Sequence, residues 1–253
     1  MIGIFDSGSG GLTVLKALRD VLPSADVVYF GDIKNAPYGD RSREELAELT
    51  VLAIRLLHER GAHNLVSACN SVSASLALSL FDAFDLSHNQ LIEMVGPTVA
   101  CFKGSPDRVL VCATSATVRS EIYQSAFRMI GKDVTAIAIP GLAGAIEHGD
   151  PAEFMESLIA KAFHGVPLSD YDTLVLACTH YPLITDVFKK VVPRSFGIFD
   201  PALAVAERVE KLCWPRESGG GHTHFMLSQD SAVFRQFVSA LFPVSTHEIE
   251  VLY

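Results

Sequence analysis

Leu65-Val66-Ser67-Ala68-Cys69-Asn70-Ser71 and Thr173-Leu174-Val175-Leu176-Ala177-Cys178-Thr179-His180 mirror each other. In each, an apolar run ends in a cysteine followed by small polar residues. Each run reads as a buried strand. Each cysteine then stands at the carboxyl end of a strand, where open α/β sheets place their chemistry. Two such turns in one chain point to a reaction that needs two thiols facing each other.

Outward from these turns, short apolar runs near 2–5, 26–30, 64–68, 91–95, 108–113, 134–139, 173–177 and 196–199 alternate with amphipathic stretches. In 43–60, Leu46, Leu49, Ala53, Leu56 and Leu57 recur at helical spacing. In 151–163, Phe154, Leu158, Ile159 and Ala162 do the same, with Asp150 as expected N-cap and Pro151 in the first turn. Alternating strand and helix implies βα units and a mostly parallel sheet. A weak internal repeat adds to this. Ile4-Phe5-Asp6-Ser7-Gly8 and Val111-Cys112-Ala113-Thr114-Ser115 both run from strand into polar turn. Asp6 precedes Cys69 by 63 positions, and Thr114 precedes Cys178 by 64. The expected fold is α/β: two similar open, mostly parallel-sheet domains facing a central cleft across a pseudo-twofold, joined near Gly96-Pro97. Beyond these, 213–221 reads as a flexible loop, 223–227 as a strand, 233–241 as a helix and 249–252 as a closing strand.

The chain has 253 residues, of which 49% are hydrophobic, enough for a sizeable core. Charged residues make up 19%, and nothing reads as disordered. The net charge of −9 repels phosphate backbones, so nucleic acid is not an expected partner. No apolar run reaches the roughly 18 residues needed to span a bilayer. The first residues, Met1-Ile2-Gly3-Ile4-Phe5, enter a strand at once and do not read as a signal peptide. The five cysteines are an odd number without CxxC spacing. That argues against a disulfide framework or zinc ribbon and for reduced thiols in a cytoplasm. Cys101, Cys112 and Cys213 read as small core hydrophobes.

The turn Asp6-Ser7-Gly8-Ser9-Gly10-Gly11 lies between a strand and a helix from about Leu12. It is neither G-x-G-x-x-G nor a P-loop. Its free N–H groups suit a carboxylate ligand, with a plain glycine-rich turn as the even alternative. Asn35-Ala36-Pro37-Tyr38-Gly39-Asp40 is a turn whose weight comes only from its company. His180, two residues after Cys178, is placed to draw a proton from a thiol of ordinary pKa about 8.5. Asp6 is the candidate helper for Cys69. Two thiols and one histidine lack the paired spacing of a zinc site, so no metal is expected. A lone Cys–His pair would suit a thiol hydrolase or transferase. Two symmetric thiols suit a proton leaving one face of a carbon and returning on the other, with acid and base swapping roles by direction. No pyridoxal-type lysine motif is present, consistent with a route that uses no cofactor.

These residues match a family. The chain resembles the cofactor-independent glutamate racemases of the aspartate/glutamate racemase superfamily. The resemblance runs from residue 2 to about 190. It rests on Phe5-Asp6-Ser7-Gly8-Ser9-Gly10-Gly11-Leu12, on Gly31-Asp32 leading to Pro37-Tyr38-Gly39, on Ala68-Cys69-Asn70 and on Cys178-Thr179-His180-Tyr181-Pro182-Leu183. A softer match is Thr114-x-x-Thr117-x-x-Ser120-x-x-Tyr123. It implies one domain from 1–95 plus about 205–253 and another from 96–204, the C-terminal segment returning to complete the first. It implies catalytic thiols at Cys69 and Cys178, assistance from Asp6 and His180, and Glu147 orienting His180. Substrate contacts are implied for Asp6, Ser7, Pro37, Tyr38, Gly39, Asn70, Ser71, Thr114, Thr117, Thr179 and His180. The implied activity is an isomerase making D-glutamate for peptidoglycan, and so for cell-wall biogenesis and cell shape, in a bacterial cytoplasm. No cofactor or metal is implied. Dimers occur in the family in varied arrangements, so a homodimer is compatible with the sequence.

Four positions depart from the family pattern. Ser71 replaces a usual threonine, losing a methyl contact. Ala177 replaces a glycine, and its methyl is expected to crowd the turn. Pro97-Thr98 stands where Glu-Pro is usual, and Asp200-Pro201 where a small turn is usual. The competing readings are a racemase of aspartate, a hydantoin or another small acid, a glutamate-binding module without turnover, and a thiol hydrolase that leaves Cys69 unexplained.

Overall fold

In the first strand, β1 (Ile2–Asp6), Ile2 and Ile4 face one apolar layer while Phe5 faces another. A strand buried on both faces needs apolar residues at every position, and all five of β1 are buried. This pattern recurs in β2 (Val27–Gly31), β3 (Asn64–Ser67) and β5 (Val109–Ala113). A computed structural model of the chain describes residues 1–73, 87, 89–214, 219–243 and 247–252. The remaining strands are β4 (Leu91–Ile92), β6 (Thr135–Ala138), β7 (Thr173–Ala177), β8 (Gly197–Phe199), β9 (Thr223–Leu227) and β10 (His247–Val251).

They form two sheets, a six-stranded one in the order β10-β9-β2-β1-β3-β4 and a four-stranded one in the order β6-β5-β7-β8. All these pairings are parallel. The order β2-β1-β3-β4 repeats as β6-β5-β7-β8, so the repeat legible in spacing is a repeat of topology. The C-terminal strands β9 and β10 extend the first sheet beyond β2.

Helices cover both faces of each sheet. One face of the first sheet packs on Leu12–Val21, Ala202–Cys213 and Ala232–Leu241, and the other on Arg43–Glu59. The second sheet packs Leu110, Cys112, Leu174 and Leu176 against Leu142–His148, Ala152–Phe163 and Thr185–Val191. Its other face packs Val109, Val111, Ala113 and Val175 against Val95–Ala100 and Ile122–Met129. No helix among the described residues is long and apolar enough to cross a membrane.

Three local expectations change. The run 91–95 is a strand only over Leu91–Ile92, because Glu93 takes the N–H groups of Val95 and Gly96, each at 2.6 Å, and starts a helix. This helix start also gives Pro97 its place in the chain. Pro151, not Asp150, is the N-cap of Ala152–Phe163, with no side-chain cap. Cys101 is exposed rather than a core residue: it follows a helix whose buried face is Val95, Thr98 and Val99. Cys112 and Cys213 are buried. Of the expected loop at 213–221, residues 215–218 lie outside the described residues.

Candidate active site

Asp6 ends β1, Cys69 follows β3, Thr114 follows β5 and Cys178 follows β7. The parallel register pairs Phe5 with Ser67 and Ala113 with Ala177, so these carboxyl ends rise side by side in each sheet. They meet at one cavity. Ser7, Pro37, Tyr38, Gly39, Cys69, Asn70 and Ser71 line it from one side, and Thr114, Ala143, Cys178, Thr179 and His180 from the other. The free space is only about 10 Å³, at the limit for one water. Both thiols are 5% exposed. Ser71 also borders a wider cavity of about 620 Å³, which carries Arg41, Arg43 and Arg119.

On the Cys178 side, His180 Nδ1 lies 4.0 Å from Cys178 Sγ, and its Nε2 lies 2.6 Å from Glu147 Oε2. Ser9 donates its N–H and its Oγ–H to the same Glu147 oxygen, both at 2.8 Å. Burial disfavours a charged His180, but hydrogen bonds to Cys178 and Glu147 and their charges outweigh it, leaving its pKa well above the ordinary value. Burial likewise raises Glu147, and the imidazole and Ser9 more than reverse it, leaving a net fall. Both shifts favour an imidazolium–carboxylate pair, joined by a charge-assisted hydrogen bond.

The glycine-rich turn therefore takes a carboxylate, but the protein's own. A Cβ at Gly8 would collide with the Glu147 carboxylate, and one at Gly10 would sit 2.5 Å from His180 Nδ1. Only glycine allows the turn to close on this pair. Glu147 takes Ser9 of this turn, while Ser7 of the same turn lines the cavity.

On the Cys69 side the surroundings differ. Cys69 Sγ lies 3.9 Å from Ser7 Oγ. Burial pushes the Cys69 thiol up to about 12, and the charge of Asp6 adds to this, against N–H groups of Val72 and Ser71. Asp6 is itself buried, which raises its carboxyl, while the charge of His180 pulls it back. It accepts from Gly8 N at 2.9 Å and from Thr179 Oγ1 at 3.1 Å. Asp6 thus acts on Cys69 through charge while its hydrogen bond goes to the Cys178 turn.

Around the cavity, Ser71 Oγ lies 2.9 Å from Thr114 Oγ1, which lies 3.0 Å from Thr117 Oγ1. Tyr38 donates to Asp32 Oδ2 at 2.6 Å. Tyr123 donates to Asn70 Oδ1 at 2.6 Å, and Asn70 Nδ2 is buried without a partner among the described residues. Of the residues expected at the site, Asp6, Thr117 and Glu147 stand one layer behind the lining, each bonded to a lining residue. Ser9, Asp32 and Ala143 were not singled out. Ser9 and Asp32 stood inside the quoted motifs, whereas Ala143 carried no signal. Among the departures, Ser71 keeps its hydroxyl in the Thr114 pair. Ala177 is fully buried in an apolar cluster with Ala113 and Val175, so its methyl packs rather than crowds. Asp200 accepts from the N–H of Ala202, the first residue of the next helix, at 2.9 Å.

The sequence model of the Asp/Glu/Hydantoin racemase family matches residues 12–209. A glutamate racemase of Thermoanaerobacter sp. (strain X514) is 37% identical over 216 residues, covering 83% of this chain and 79% of that one. The crystal structure of glutamate racemase from Aquifex pyrophilus is similar at a TM-score of 0.82 and 28% identity, covering 99% of this chain and 97% of that one. Glutamate racemase isoform RacE1 from Bacillus anthracis reaches 0.88 at 24% identity, covering 100% and 97%, a likeness of fold. With most of its length matched, the chain belongs to the Asp/Glu/Hydantoin racemase family of isomerases.

Proposed function

We propose that the protein is a glutamate racemase that interconverts L- and D-glutamate with two thiols and no cofactor. One observation carries this reading: Cys69 and Cys178 leave equivalent strand ends and close on the same cavity. Substrate held between them offers its α-carbon to both. In one direction the thiolate of one cysteine takes the α-proton, and the C–H electron pair stays on carbon. The other cysteine's S–H then breaks and its proton goes to the opposite face. The enzyme ends with its two thiols exchanged in protonation, ready for the reverse reaction.

Asp6 and His180 act as the helpers of Cys69 and Cys178, and Glu147 orients His180. Ser7, Pro37, Tyr38, Gly39, Asn70, Ser71, Thr114, Thr117 and Thr179 complete the substrate site with Asp6 and His180. Glutamate exceeds the space present, so the two sides part for entry, and the cavity carrying Arg41, Arg43 and Arg119 is the way in. The parting bodies are a unit of 1–95 with about 205–253, and a unit of 96–204. The product serves peptidoglycan synthesis in a bacterial cytoplasm. A homodimer is the assembly to check by light scattering.

Circular dichroism of L- and D-glutamate with purified protein tests the reading. Both signals should decay to zero, and aspartate should decay far more slowly. Loss of optical activity with aspartate alone moves the assignment to the sibling substrate. No change with either amino acid removes the racemase reading.

A further inference from the structure

The pattern Thr114-x-x-Thr117-x-x-Ser120-x-x-Tyr123 leaves its last member without a task. Thr114 lines the cavity, Thr117 backs it, and Ser120 donates to Thr117 O at 2.7 Å. Tyr123 lies on the helix Ile122–Met129 and is 1% exposed. Its ring packs in the core of the second sheet, yet its hydroxyl reaches the turn after β3 in the first.

We propose that Tyr123 is a positioning residue, locking the Asn70 carboxamide so that Nδ2 faces the substrate. The proposal rests on the glutamate racemase reading. The buried phenol hydroxyl, which also meets the Thr98 side chain, donates its proton to Asn70 Oδ1 at 2.6 Å. A primary amide has two ends, and fixing one fixes the other. Nδ2 is then a buried donor without a partner among the described residues, on a residue that lines the cavity. Such a donor wants an anionic oxygen, and a substrate carboxylate supplies one. With the hydroxyl gone, the amide turns freely and half of its orientations present an oxygen to that carboxylate. The contact also joins the core of the second sheet to the turn after β3 in the first.

The test is a double-mutant cycle with steady-state kinetics on L- and D-glutamate. Tyr123→Phe removes one oxygen and keeps the ring in the core. It should raise KM about tenfold and leave kcat within about threefold. In the Asn70→Ala background, Tyr123→Phe should add nothing to KM. Asn70→Asp keeps an acceptor for the tyrosine but puts a carboxylate where the donor stood, and should raise KM at least as much as Asn70→Ala. A Tyr123→Phe effect that is equal in both backgrounds overturns the proposal, as does an unchanged KM in Tyr123→Phe. Should Tyr123→Phe fail to fold, Asn70→Asp with wild-type KM overturns it alone. An inactive wild-type protein fails the racemase reading instead, so the two failures are separate.

Discussion

The two thiol turns share a strand plan but not an electrical environment. At Cys178 the neighbour is a histidine whose pKa is raised by its hydrogen bonds to Cys178 and Glu147. At Cys69 the neighbours are burial, a serine hydroxyl and the charge of Asp6, and the thiol is pushed up to about 12. The symmetric geometry suits the proposed approach to an α-carbon from two faces. The asymmetric charge suits the proposed need for one thiol and one thiolate at a time. In the proposed two-thiol mechanism the raised Cys69 thiol favours its protonated form, which places it to donate a proton.

The hardest blow to this comparison is loss of either thiol. Cys69→Ser and Cys178→Ser should each lower kcat by about 10³-fold or more in both directions, read by circular dichroism. A serine variant that keeps racemising would leave one turn without a role.

Next comes the pair that distinguishes the Cys178 side. Glu147→Gln should lower kcat about 10²-fold by freeing His180 to turn and shed its charge. It also has a stability signature. Glu147's folded pKa lies below its ordinary 4.5 and His180's lies above its ordinary 6.5. The carboxylate's contribution is present above 4.5 and fades as pH falls through the lowered value. The imidazole's is present below 6.5 and fades as pH rises through the raised value. The Tm gap between wild type and Glu147→Gln should therefore peak at about pH 5–6. A gap that does not vary with pH contradicts the ion pair.

Asp6→Asn sharpens the other side. Asp6 raises Cys69, so its removal lowers that thiol. For the enantiomer that Cys69 deprotonates, the alkaline rise in kcat/KM should move to lower pH, with kcat about tenfold down. The profile of the other enantiomer should hold its shape. Equal shifts in both directions would mean that Asp6 does not serve Cys69 specifically.

The smallest effect belongs to a place where the two turns differ only in packing. Ala177→Gly empties a methyl from the core and frees a strand end, costing about 1 kcal/mol in urea unfolding with kcat within about twofold. A large gain in kcat would show that the methyl does crowd the turn.

What was legible in the sequence was local. Apolar runs that end in polar turns reveal strand ends, and strand ends reveal both thiols, Asp6, Thr114 and His180. What was not legible joins distant residues. Ser9 meets Glu147 across 138 positions, and Tyr123 meets Asn70 across 53. No periodicity encodes such pairs, and family resemblance suggested Glu147 but not the serine that holds it. The glycine-rich turn shows the same limit: its composition suits a carboxylate without saying that Ser9 meets Glu147 of the chain itself. At 91–95 the apolar run was real, but one carboxylate, Glu93, capped the backbone and turned strand into helix.

The central claim is that two thiols act on opposite faces of one α-carbon. Its most direct test is racemisation of L-glutamate in deuterium oxide, followed by proton NMR and chiral separation. D-Glutamate should carry deuterium at the α-position from the first turnovers, while the remaining L-glutamate keeps its proton. D-Glutamate that retains the original proton, or deuterium entering the residual L-glutamate as quickly as the product, would contradict it.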